Sequence, residues 1–151
     1  MTDQASQHTI IAAPPDRVFE AAVEFERYPE WARDIKAASV ERRDDRGRGV
    51  EVTFRAAAMG RSTSYTLRYD YSGAPNRLGW VLARGDIMRR LDGSYTFVPV
   101  DDDPLSTEVV YHLTVDLVVP LPGFVKRRAE ARIMHTALRE LKAHVEASVT
   151  S

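Results

Sequence analysis

The fold is decided by the stretch PLPG at residues 120–123 and by FVKRRAEARIMHTALRELKAHV at residues 124–145, which follows it. The prolines and the glycine end a strand-like run, and the apolar residues after them recur at helical spacing. The spacing predicts one long amphipathic helix over about residues 122–147. Such a helix buries its apolar stripe against another layer, and in the concave face of a curled sheet it tends to enclose a cavity.

Almost everything before that helix is typical of β-strands. Apolar and polar residues alternate in seven segments separated by turns rich in glycine, proline and aspartate, and Met59-Gly60 has the composition of a hairpin tip. The seven predicted strands lie at about residues 8–13, 35–43, 50–55, 65–71, 78–82, 91–97 and 109–117. A short helix from Asp16 and a helical turn at Tyr28-Pro29-Glu30-Trp31 lie between the first two. The predicted class is α+β, a helix-grip fold with a seven-stranded antiparallel sheet in the order β-α-α-β6-α.

A family resemblance follows from this order together with three short segments. These are Tyr28-Pro29-Glu30-Trp31, Leu91-Asp92-Gly93-Ser94-Tyr95 and Thr107-Glu108-Val109. With the terminal helix, they resemble the START-like (SRPBCC, Bet v 1-like) superfamily, in particular small actinobacterial members of its polyketide cyclase/dehydrase and coenzyme-Q-binding branch. The resemblance implies an apolar cavity between sheet and helix that holds a lipid, quinone, steroid or polyketide. It implies no single chemistry, because only some members are enzymes.

Length and composition restrict the class of protein. At 151 residues, a single domain spanning residues 1–151 is expected. Hydrophobic residues at 44% and charged residues at 28% are ordinary for a soluble protein. A net charge of −1 argues against a nucleic-acid partner and against an interaction-only role like that of ribosome-associated relatives of the quinone-binding branch. With no cysteine, disulfides, thiolate nucleophiles and sulfur-ligated metals are excluded.

The sequence also predicts where the protein is found. Its first residues are polar and do not form a signal peptide, and no apolar run approaches the length of a membrane span. We therefore expect a cytoplasmic protein without stable membrane insertion, a monomer or a weak dimer. Its basic residues are mainly arginines, which favours a GC-rich genome rather than a particular function.

The faces of the terminal helix follow from 100° per residue. One face carries Met134, Ala137, Leu138, Leu141 and Val145, and we expect it to lie on the sheet. The opposite face carries Arg128, Arg132, Arg139 and Glu146, which should be solvated. Arg127 and Glu130 project to the same side as Met134, and two interpretations remain open. Either Arg127 extends to solvent while Glu130 interacts with the helix dipole, or both form the polar mouth of a cavity.

The sheet contributes the other wall of the predicted cavity. Many aromatic side chains occupy the apolar phase of the strands, where they suit either a planar hydrophobic ligand or ordinary core packing. In the family it resembles, Trp31 would lie at the cavity entrance or pack beneath it. The predicted ligand-binding residues are Trp31, Phe54, Tyr69, Trp80, Tyr95, Tyr111, Arg127, Glu130 and Met134.

Catalytic and metal-binding patterns are weak. Of the four histidines, His112 shares a strand face with Asp116, and we interpret the two as part of a cross-strand pair on the solvent side. The sequence contains no glycine-rich phosphate loop, HExxH or GxSxG motif, and Asp101-Asp102-Asp103 lacks the remaining ligands of an EF-hand. We therefore predict no catalytic constellation, no metal and no cofactor.

Two functions remain open at this stage. The first is binding of a hydrophobic small molecule such as a lipid, a quinone or a polyketide, by a carrier or sensor. The second is a polyketide cyclase or aromatase that folds a poly-β-ketone in the same cavity and transfers protons with one or two polar groups. The sequence favours the binding protein and leaves open whether the protein is an enzyme.

Overall fold

The structure is a computed structural model that describes residues 5–58 and 60–150. Its elements are β1 (Ala5–Ile11), α1 (Pro15–Val23), a 3-10 turn (Phe25–Arg27), α2 (Tyr28–Trp31), β2 (Ile35–Arg43), β3 (Gly49–Ala58), β4 (Arg61–Asp70), β5 (Arg77–Gly85), β6 (Met88–Val100), β7 (Asp103–Leu117) and α3 (Gly123–Thr150). The predicted order of elements and the α+β class are confirmed.

The strands form one antiparallel sheet in the order β1-β7-β6-β5-β4-β3-β2. The edge strands β1 and β2 are consecutive in the chain, and α1 and α2 connect them. Helix α3 packs on β1 and β7, at one side of the sheet. The strands farther from β7 therefore face the flank of α3 across open space, and this asymmetry creates the cavity described below.

Some element boundaries differ from the prediction. Strand β1 ends at Ile11 rather than at residue 13, and α3 continues to Thr150. Pro99 does not end β6, because the strand continues to Val100 across a register shift where a missing N–H is tolerated. Met59 lies outside the described residues. Gly60 has a φ of +77°, the conformation expected for the glycine of a tight turn.

The core lies between α3 and the sheet. Met134, Leu138, Leu141 and Val145 are all buried, as the helical spacing predicts. Arg128 and Arg139 are exposed as expected, but Glu146 is not simply solvated. Its carboxylate accepts the Ala12 N–H at 2.8 Å and contacts the Lys142 ammonium at 2.8 Å, so it ties α3 to the end of β1.

Candidate ligand-binding cavity

A cavity of about 640 Å³ lies between the concave face of the sheet, α2 and the flank of α3. Its sheet wall includes Phe54, Leu67, Tyr69, Trp80, Tyr95 and Tyr111, and α2 contributes Tyr28 and Trp31. From α3 come Ala129, Arg132, Ile133, Thr136, Ala137 and Glu140. The volume lies within the usual range for small-molecule sites, roughly 300–1,000 Å³.

Strand register positions the aromatic wall. Tyr69 is paired with Trp80 across β4 and β5, and Tyr95 with Tyr111 across β6 and β7. Trp80 is opposite Gly93, where an added Cβ would lie 2.7 Å from the indole ring and 2.5 Å from a backbone oxygen. Only a residue without a side chain therefore lets the indole lie across β6, where it meets Tyr95 at 5.2 Å and Tyr111 at 5.7 Å between ring centroids.

Four tyrosine hydroxyls in this wall have no hydrogen-bond partner in the described part of the chain. Tyr65, Tyr69, Tyr95 and Tyr111 make no hydrogen bond with any described residue. Burial raises the pKa of all four phenols well above the ordinary value, so they stay protonated at neutral pH. A neutral phenol donates and accepts hydrogen bonds but is not a base. The wall therefore offers an apolar surface with several unused donors.

Helix α2 forms a second aromatic group. The Tyr28 hydroxyl donates to the Ala22 carbonyl, and burial raises the pKa of this phenol. Trp31 stacks on His144 with ring centroids 5.0 Å apart and planes at 10°. The pKa of His144 is lowered, mainly because burial disfavours its charged form. The Trp31 indole N–H is buried and has no protein partner among the described residues, which is uncommon for a buried donor.

The charged residues of the cavity lie at its mouth. Asp34 and Arg132 are exposed, and Glu140 is half-buried and accepts the Arg33 N–H at 3.3 Å. The Arg132 guanidinium makes no ion pair or hydrogen bond with the described part of the chain. The Thr63 hydroxyl, also in the lining, donates to the Asp86 carboxylate. The cavity is thus apolar and phenolic inside and charged where it meets solvent.

Among the residues predicted to bind a ligand, Trp31, Phe54, Tyr69, Trp80, Tyr95 and Tyr111 line the cavity. Arg127, Glu130 and Met134, which were also predicted to face it, are not among the described residues of its lining. Met134 is buried in the core and Arg127 is exposed. The reason is the position of α3 over β1 and β7, which turns the apolar stripe toward packed core and another flank toward the cavity.

Glu130 fits neither interpretation of its role. It is 2% exposed, and its carboxylate accepts the Val115 N–H at 2.8 Å with the Lys126 ammonium 4.0 Å away. The described part of β1 pairs with β7 only as far as Leu113. Glu130 therefore bonds a backbone donor just beyond the last residue paired with β1, and it joins α3 to the end of β7.

Sequence reasoning missed most of the α3 flank. Arg132 was expected to be solvated and is exposed, but it also lines the cavity mouth beside Ile133, Thr136 and Glu140. These residues include charged, hydroxyl-bearing and aliphatic side chains, so they do not form a periodic apolar pattern in the sequence. Tyr28 and Tyr65 were detectable, because Tyr28 adjoins Trp31 in sequence and Tyr65 shares the strand phase of Tyr69.

The surface pairing predicted for His112 and Asp116 differs from the observed one. Asp116 contacts Lys126 at 3.1 Å and Arg90 at 3.7 Å, while His112 is half-buried. Thr114, which shares their strand phase, is buried. Within residues 5–58 and 60–150, no group of three or more metal-ligating side chains is close enough to hold an ion.

The chain is similar in sequence to one described protein family. The family model described as polyketide cyclase/dehydrase and lipid transport matches residues 2–146. No curated protein matches the chain.

Solved structures with the same fold include three informative examples. A START superfamily protein from Mycobacterium smegmatis has 24% identity and a TM-score of 0.90, covering 95% of this chain and 97% of that one. The Zhui aromatase/cyclase from Streptomyces sp. R1128 has 16% identity and a TM-score of 0.80, covering 97% and 95%. A protein from Thermus thermophilus has 22% identity and a TM-score of 0.77, covering 97% and 99%. At these identities the likeness shows the fold alone.

Proposed function

The chain belongs to the polyketide cyclase/dehydrase and lipid transport family, and we propose that it binds a hydrophobic small molecule in the cavity, as a carrier or sensor. One observation carries the proposal. A space of about 640 Å³ is walled by aromatic side chains, and the hydroxyls of Tyr65, Tyr69, Tyr95 and Tyr111 have no hydrogen-bond partner among the described residues. Buried polar groups are normally hydrogen-bonded, so unused donors in an apolar wall favour a ligand with oxygen acceptors.

The chemistry of the wall supports a class of ligand. Flat rings stack on Trp80 and the tyrosines, and long acyl chains fill the same space without directional contacts. The protonated phenols of Tyr69, Tyr95 and Tyr111 would donate to carbonyl or hydroxyl oxygens. A quinone, a polyketide-like molecule or a lipid with oxygens at its inner end meets these requirements. The proposed ligand contacts are Trp31, Phe54, Tyr69, Trp80, Tyr95 and Tyr111.

A polyketide cyclase or aromatase is the second candidate. It is favoured by the neutral phenols, since a donor beside a ketone carbonyl stabilises the enolate that forms before ring closure. Against it, the carboxylates of the described lining, Asp34 and Glu140, lie at the mouth rather than beside the inner phenols. A base near the carbon that loses its proton would then have to come from the mouth. The binding function requires no such group.

Native mass spectrometry separates these possibilities. The purified protein is mixed with menadione, palmitate and a flavonoid, and its mass is compared with that of the bare chain. The proposal predicts a complex with one ligand for at least one of them. A mass equal to the bare chain in every mixture contradicts it. Incubation with a poly-β-ketone thioester mimic tests for cyclase activity, because ring closure changes the ultraviolet spectrum of the mimic.

A further inference from the structure

The segment between β7 and α3 exposes a cluster of apolar side chains. Val118 is 53% exposed, Val119 is 71% exposed and Phe124, in the first turn of α3, is 70% exposed. Single exposed apolar residues are ordinary, but a group of them in one short segment commonly marks an interaction site. The apolar side chains of this segment are therefore available to a partner.

Positive charge surrounds the apolar group. Arg128 and Arg132 are exposed, and the spacing of four residues puts them with Phe124 along one stripe of the helix. Among the described residues, no nearby carboxylate pairs with either arginine. Asp116 is already paired with Lys126 and Arg90, and Glu130 is buried. We call Val118, Val119, Phe124, Arg128 and Arg132 the β7–α3 patch.

The opposite end of β7 has the opposite charge. Asp101, Asp102 and Asp103 are exposed at the turn where the strand begins, and the patch follows its last residue. A strand rises about 3.3 Å per residue, so the two ends of β7 lie roughly 45 Å apart. Although the net charge is only −1, the two ends of β7 carry charge of opposite sign. Such a molecule turns its basic end toward an anionic surface.

The patch also borders the cavity. Arg132 and the adjacent Ile133 line the mouth. On the other side, the Val118 N–H donates to the Ile87 carbonyl at 2.9 Å, and the neighbouring Met88 lines the cavity. A surface that covers the patch would therefore face the entrance through which a ligand passes.

We propose that the β7–α3 patch docks reversibly on an anionic lipid surface. Val119 and Phe124 enter the headgroup region, while Arg128 and Arg132 face lipid phosphates. Docking holds the cavity mouth against the bilayer, where an apolar ligand exchanges without crossing water. Only this exchange step rests on the proposed function. No helix in the described part of the chain is long and apolar enough to cross a membrane.

Vesicle sedimentation tests the docking. The probe is equimolar phosphatidylglycerol and phosphatidylcholine at low salt, with phosphatidylcholine alone for comparison. The wild-type protein should sediment with the anionic vesicles and not with the neutral ones. Arg128→Gln with Arg132→Gln should weaken partitioning about fivefold for each arginine, and Val119→Ser with Phe124→Ser should weaken it at least as much.

Matched controls lie outside the patch. Leu105→Ser removes an apolar side chain that is 67% exposed beside the acidic turn, and Arg46→Gln removes an exposed arginine in the β2–β3 turn. Neither should change sedimentation. Circular dichroism should be unchanged in all of these variants, because every substituted side chain is exposed.

Three results would overturn the proposal. The first is that the wild-type protein does not sediment with anionic vesicles. The second is that both patch variants sediment as well as the wild-type protein does. Alternatively, only the arginine variant would lose binding, which points to an acidic soluble partner instead of lipid. Ligand binding to the cavity is tested separately, in solution, with menadione as the probe. Vesicle binding without any bound ligand would leave docking intact and contradict the proposed function.

Discussion

Helix α3 has two sides of opposite character. The side that lies on β1 and β7 is apolar and packed, with Met134, Leu138 and Leu141 almost without exposed surface. The flank over the cavity is mixed, with Ala129, Arg132, Ile133, Thr136, Ala137 and Glu140 around open space. The first side supplies most of the stability of the helix, because burial of apolar area is the main favourable term in folding. The second contributes little to packing and is free to recognise a ligand.

This contrast separates stability from binding within one helix. A substitution on the packed side should change the free energy of unfolding, whereas one on the cavity flank should change ligand affinity. The same division applies to tyrosines. The Tyr71 hydroxyl donates to the Gly49 carbonyl at 2.7 Å, while the hydroxyls of Tyr69, Tyr95 and Tyr111 have no partner among the described residues. Each prediction below compares one substitution with a matched residue of the other kind.

The largest effect is expected on the packed side. Leu141→Ala should lower the free energy of unfolding by about 2–5 kcal/mol, because Leu141 is 1% exposed and its removal leaves a void. Arg139→Ala, on the solvent side, should change it by no more than about 0.5 kcal/mol. Denaturant titration measures both. Equal losses for the two variants would mean that the orientation of the helix is wrong.

Substitution of Glu130 tests whether its carboxylate stabilises the fold or binds the ligand. Glu130→Ala leaves the buried Val115 N–H without its acceptor and should lower the free energy of unfolding by about 1–3 kcal/mol. Glu20→Ala, in an exposed position of α1, should have little effect. Thermal unfolding and menadione titration are measured for both. A stable Glu130→Ala protein with reduced ligand affinity would place this carboxylate in the binding site instead.

The cavity flank should show the reverse pattern. Thr136→Phe projects a ring into the cavity and should weaken ligand binding about tenfold, or about 1.4 kcal/mol. His135→Phe adds the same ring at the next, exposed position and should leave affinity unchanged. Calorimetric titration gives the affinities. If both variants bind as the wild type does, the ligand does not occupy the space beside Thr136.

The smallest effects are expected from single hydroxyls. Tyr95→Phe should reduce affinity for an oxygen-bearing ligand by about 0.5–1.5 kcal/mol and leave stability nearly unchanged, because this hydroxyl bonds to none of the described residues. Tyr71→Phe removes the bond to Gly49 and should do the opposite. An affinity loss confined to Tyr71→Phe, or a clear loss of stability in Tyr95→Phe, would contradict the distinction between the two tyrosines.

Periodicity was enough to predict the fold. Alternation located the strands because one face of each is buried, and the helical stripe located α3 because Leu138, Leu141 and Val145 pack tightly. The aromatic wall was predicted for the same reason, since Tyr69, Trp80, Tyr95 and Tyr111 share the inward phase of their strands.

The cavity side of α3 was not predictable in this way. Periodicity detects a face that packs, and Arg132 and Thr136 border open space instead. The prediction therefore assigned the cavity to the packed face and included Met134, which is 1% exposed within the core. Met134→Trp would overpack that core instead of filling the cavity. The sideways position of α3 depends on its contacts with β1 and β7, which are distant in sequence.

The central claim is that the aromatic wall binds a hydrophobic ligand, and Trp80 fluorescence tests it most directly. The chain has two tryptophans, so Trp31→Phe leaves Trp80 as the only indole emitter. This variant is titrated with menadione, palmitate and a flavonoid, alongside the urea-unfolded variant as a control for collisional quenching. We predict a saturable change in emission with at least one ligand, and adding Thr136→Phe should move its midpoint to an about tenfold higher ligand concentration. Changes that never saturate and equal those of the unfolded chain would contradict the claim.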